Sequence, residues 1–81
     1  MAVRLIVRLF GTLSMKVSDY DHKKGIIFNA PEGVTPADLL KDLQVPVSHI
    51  GFISNGTSGL QLDSRLEDQM TVHFFSLVSG G

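Results

Sequence analysis

The last twelve residues, Met70-Thr71-Val72-His73-Phe74-Phe75-Ser76-Leu77-Val78-Ser79-Gly80-Gly81, constrain the fold more than any other stretch. Residues 70–78 are rich in β-branched and aromatic side chains and contain no turn signal, so they read as one strand. Val72 and Phe74 fall on one side of it; His73, Phe75 and Leu77 fall on the other. A strand this apolar reads as buried in a sheet. It then runs straight into Gly80-Gly81. Glycine loses the most entropy on ordering and offers no side chain to pack. The pair therefore ends the strand without anchoring it, and residues 79–81 read as a flexible tail of a single domain spanning 1–81.

The rest of the chain supplies a sheet for that strand. Residues 3–10 alternate: Val3, Leu5, Val7 and Leu9 point one way, and Arg4, Ile6, Arg8 and Phe10 the other. Period-two alternation marks a half-buried strand whose arginines lie on the wetter face. Gly11-Thr12-Leu13-Ser14 reads as a turn. Residues 15–24 are polar and mixed in charge, and read as a solvated loop or hairpin extension. Residues 25–30 form a second strand, antiparallel to the first. Pro31-Glu32-Gly33 is a turn signal. Thr35 is placed to cap a helix, with Pro36 at its first position and Asp38 three residues after the cap. Ala37, Leu39, Leu40 and Leu43 give that helix an apolar stripe, and Val45-Pro46 ends it.

A third strand is expected within 47–54, then a tight turn at Asn55-Gly56 and a short edge strand over Leu60-Gln61-Leu62. Residues 63–68 read as a helical turn capped by Asp63, with Leu66 plugging the core. The order is strand, strand, helix, strand, short strand, strand. One helix packed across one face of a mixed sheet satisfies the layering of small domains. The last strand then lies beside the first, parallel to it, at the sheet centre.

Composition narrows the function classes. Hydrophobic residues make up 43% and charged residues 19% of the chain, which argues against disorder. With 7 basic and 8 acidic residues there is no excess to track a phosphate backbone, so no nucleic-acid partner is expected. No apolar run approaches a membrane span, and Met1-Ala2-Val3-Arg4 is strand-like, unlike a secretion signal. The absence of cysteine removes disulfides, thiol nucleophiles and thiolate metal sites. A cytoplasmic location is expected. His22, His49 and His73 lack metal-ligand spacing, and Ser79 has neither a histidine beside it nor a nucleophile-elbow motif.

What the tail offers chemically is the α-carboxylate of Gly81. Two residues without Cβ can thread a narrow cleft in nearly any conformation. A carboxylate is a poor electrophile and reacts only after activation, for example as a mixed anhydride with AMP. A sulfur donor or an amine can then displace the AMP.

The order of elements, with Leu66-Glu67-Asp68 before the last strand, Asn55-Gly56 between the middle strands and Val78-Ser79-Gly80-Gly81 at the end, resembles the ubiquitin-like β-grasp sulfur carriers. These are the small subunit of molybdopterin synthase and the thiamine-pathway carrier. The resemblance covers the whole chain in layout and is carried in motif by residues 62–81. It departs from the family pattern where Gln69 and Met70 replace a usual glycine and acid, so a differently built turn is expected there. Ser76 and Leu77 also stand where molybdopterin members often carry prolines, which leaves the pathway open to a tungsten-cofactor or other sulfur-transfer role. The ending and the length favour the molybdopterin branch over the thiamine branch.

The resemblance implies an α+β β-grasp fold with four or five strands and one main helix. It implies a carrier that is a co-substrate and not itself an enzyme. An adenylating partner enzyme uses ATP and Mg²⁺ to activate Gly81; the carrier itself binds no cofactor and no metal. The resulting thiocarboxylate delivers sulfur inside a second partner, the sulfur-acceptor subunit of a synthase. Gly81 is then the reacting residue and Gly80 the slim neck, with Val78 and Ser79 held as extended backbone. Phe75 and Leu77 form an apolar partner patch, and Arg4 and Arg8 are placed to meet acids of a partner. The alternative is a β-grasp interaction or conjugation module, which would pass the activated Gly81 to an amine.

Overall fold

The computed structural model describes residues 2–11, 13 and 23–77. Five strands and one α-helix follow in the order β1 (Ala2–Phe10), β2 (Ile26–Pro31), α1 (Pro36–Leu43), β3 (Ile50–Ser54), β4 (Gly59–Leu60) and β5 (Thr71–Ser76). The strands form one mixed sheet in the spatial order β2-β1-β5-β3-β4. β1 pairs antiparallel with β2 and parallel with β5. β3 pairs antiparallel with both β5 and β4. This is the β-grasp arrangement. The last strand sits in the middle of the sheet beside the first.

The alternation of β1 becomes its two faces. Val3, Leu5, Val7 and Leu9 are buried, while Arg4 and Phe10 are exposed. On β5, Val72 and Phe74 are fully buried on the same covered face. They share one core with Leu39 and Leu40 of α1, and with Val34, Val45, Ile53 and Leu66 around it. Burying a side chain such as Phe74 contributes on the order of 1.5–3 kcal/mol. The eight-residue α1 is too short to persist alone, so this packing holds it.

Local signals fix the ends of α1. The Thr35 hydroxyl accepts from the Asp38 backbone N–H, and the Asp38 carboxylate accepts from the Thr35 backbone N–H at 3.0 Å. Both groups of a capping box are present, with Pro36 at the first position. At the other end Gln44 takes a left-handed φ of 60°, and the Val45 N–H reaches the Leu40 carbonyl at 3.0 Å.

The third strand lies within the expected 47–54, as Ile50–Ser54, and residues 47–49 before it are a single 3-10 turn. Several expectations need correction. The edge strand β4 is Gly59–Leu60 and does not reach Leu62. Residues 63–68 form no helical turn capped by Asp63. The Ser64 hydroxyl takes the Gln61 N–H at 2.8 Å, and the Leu66 N–H goes to the Val34 carbonyl at 2.9 Å. The Leu66 donor is spent on a tertiary tie to the β2–α1 connection and the Ser64 N–H on the Gln61 carbonyl, instead of on i→i−4 bonds, and Leu66 plugs the core. Leu13, read as part of a turn, is fully buried. Lys23 and Lys24 form an exposed turn; residues 14–22, most of the polar segment, lie outside the described residues.

Candidate functional site at the end of the last strand

Because β5 and β1 are parallel and in register, side chains on the face away from α1 line up in rows across the sheet. One row is Phe10, Phe75 and Phe52, from β1, β5 and β3. The Phe10 and Phe75 rings stack at 4.8 Å with 13° between planes. Phe52 tilts against Phe75 at 5.9 Å. The next row is Arg8, His73 and Ser54. His73 lies 5.4 Å from the Phe10 ring and 6.4 Å from the Phe75 ring. Offset aromatic contacts of this kind add on the order of 0.5–1.5 kcal/mol each beyond their buried area. Phe52 remains 54% exposed and Leu77, just past β5, 61% exposed, so the row is an apolar surface and not a second core.

His73 is pushed below its usual pKa of 6.5, first by burial among these rings and then by the Arg8 guanidinium. Neutral imidazole is the favoured form here. Arg8 itself donates from Nη1 to the Lys23 carbonyl at 3.3 Å.

The residues expected to meet a partner separate into two places. Phe75 and Leu77 lie together at the end of β5, with Arg8 one row away. Arg4 lies at the other end of β1, six residues from Phe10, which is about 20 Å of strand. There its backbone N–H donates to the Asp68 carboxylate at 2.7 Å. Asp68 thus clasps the turn before β5. Gln69 in that turn adopts φ 68°, the left-handed region that favours glycine. Val78, Ser79, Gly80 and Gly81 lie outside the described residues.

Phe10 and Phe52 were not singled out by the sequence as members of this surface. The signal for Phe10 was available in the alternation that sets it beside Arg8. Phe52 needed the β3–β5 register, which no local pattern carries. Among the described residues no group of three or more His, Asp or Glu side chains is placed to hold a metal ion. No helix among them is long and apolar enough to cross a membrane.

No family model matches the chain, and no curated protein does. Among solved structures the chain is similar to the solution structure of the Haloferax volcanii HVO 2177 protein. The TM-score is 0.72 at 22% identity, over 99% of this chain and 88% of that one. At that identity the likeness is one of fold, and it agrees with the β-grasp topology read from the strand order.

Proposed function

We propose that the chain is a sulfur carrier. Its Gly81 carboxylate is adenylated by a partner enzyme using ATP and Mg²⁺, and a sulfur donor then displaces AMP to leave a thiocarboxylate. A synthase subunit takes the sulfur for cofactor biosynthesis, with molybdopterin favoured over thiamine. The carrier is a co-substrate; the activating and accepting enzymes supply the catalytic groups.

The observation that supports this reading is the end of β5. The strand lies between β1 and β3 in the sheet, and Leu77 is tied by its N–H to the His49 carbonyl at 2.9 Å. Leu77 is nonetheless exposed. A rigid body thus holds the chain up to four residues before Gly81, beside an apolar row that a partner can grip. The reading requires Gly81 to be the last residue of the active chain.

Deleting Gly81 tests it. The truncated chain is expected to keep the melting temperature of the full chain and to support no cofactor synthesis. Extending the chain past Gly81 should do equal harm. Cofactor synthesis by the truncated chain would overturn the carrier reading.

A further inference from the structure

Two glycines close on the end of β5 from opposite sides. On the β3 side Ile50 pairs with Ser76 and Phe52 with Phe75, so Gly51 is the extra residue of a bulge. A Cβ on Gly51 would stand 3.0 Å from the Leu77 Cα and 3.0 Å from the Ser76 carbonyl oxygen. Both atoms are backbone, so neither yields by a side-chain rotation. Gly51 has no positive φ, and only this close approach calls for glycine. On the β1 side Gly11 follows Phe10, the partner of Phe75. A Cβ there would run into the Ser76 side chain, and Gly11 also holds φ 68°. The 3-10 turn at Val47–His49 then presents the His49 carbonyl to the Leu77 N–H.

We propose that Gly11 and Gly51 are positioning residues for the Gly81 end: they let β1 and β3 close on Ser76 and Leu77, making Leu77 the fixed point where the chain leaves the sheet. The role rests on the carrier reading above. A bulge bends and re-aims the strand that carries it. Here the β3–β5 ladder resumes past the bulge through the Ile50–Ser76 pair and ends where the His49 carbonyl takes the Leu77 N–H, at one defined residue. Fixing that residue shortens the stretch that must be ordered when Gly81 enters a partner's cleft. Ordering freed chain costs affinity. Loosening the exit should therefore raise KM for the activating enzyme. It should leave kcat unchanged, because the carboxylate has the same surroundings once threaded.

The experiment has two readouts on the full chain and its Gly51→Ala variant. Amide hydrogen exchange should find Leu77 protected in the wild type, and about tenfold faster in Gly51→Ala, with Ile53 and Phe74 unchanged. An adenylating enzyme that converts the wild-type chain to its thiocarboxylate, followed by mass, should show KM raised about fivefold and kcat kept within about twofold. An unprotected Leu77 amide in the wild type overturns the clamp without any variant. Faster exchange with unchanged KM overturns the positioning role alone. No conversion of the wild-type chain overturns the carrier reading and the positioning role with it, while exchange still reports whether the clamp exists.

Discussion

At the scale of single residues, His73 and Leu77 separate stability from recognition. The fold holds the His73 imidazole below its usual pKa of 6.5, through burial and then Arg8. The unfolded chain therefore takes up this proton at a higher pH than the folded one. Above about pH 6.5 the group costs nothing; below it, stability falls with pH until the folded pKa is passed. The urea midpoint should drop as the pH falls below about 6.5, and His73→Gln should flatten that slope relative to the wild type. Leu77 behaves oppositely. It is 61% exposed, so Leu77→Glu should change stability by less than about 0.5 kcal/mol. It should weaken binding to a partner by about tenfold or more, read by calorimetry. Phe75→Ala is a less clean probe, because its ring is half-buried and stacked on Phe10. Gln69 carries a left-handed φ of 68°. Gln69→Gly should raise the stability by about 0.5–1 kcal/mol in urea unfolding.

At the scale of elements, what was legible from the chain is what local chemistry decides. Thr35, Pro36 and Asp38 announce α1 because a cap needs a side-chain oxygen, a preset φ and an acid within one turn. All three do that in the structure. Thr35→Ala should therefore cost about 1 kcal/mol, measured as a shift in urea midpoint. The alternation of β1 was equally plain. Elements set by a distant neighbour were not legible. The bulge residue Gly51 has to be a glycine because the backbone of Ser76 and Leu77, 25 and 26 residues later in the chain, leaves no room for a Cβ. Leu13 reads as turn by its neighbours and is buried by tertiary packing. The stretch after Leu62 carries helix-cap residues, yet its Ser64 and Leu66 N–H groups go to the carbonyls of Gln61 and Val34.

At the scale of the whole molecule, the order of strands follows from two facts visible in the chain: an apolar last strand and a first strand with one apolar face. Together they place β5 beside β1, with α1 covering Val72 and Phe74. The face away from α1 then had to carry Phe10, His73, Phe75 and Phe52. The site itself was half legible. Phe75 and Arg8 fall on the face where alternation puts them, while Arg4 lies far from Phe75 because the parallel β1–β5 pairing begins only at Ile6, a register that alternation does not carry. The central claim is that this sheet exists to present Gly81 for activation. It is tested most directly by the intact mass of the untagged chain, before and after incubation with ATP, Mg²⁺, an adenylating enzyme and a sulfide source. The account predicts a gain equal to one oxygen exchanged for sulfur, located on the C-terminal peptide. An unchanged mass across several such enzymes, with the fold intact, would contradict it.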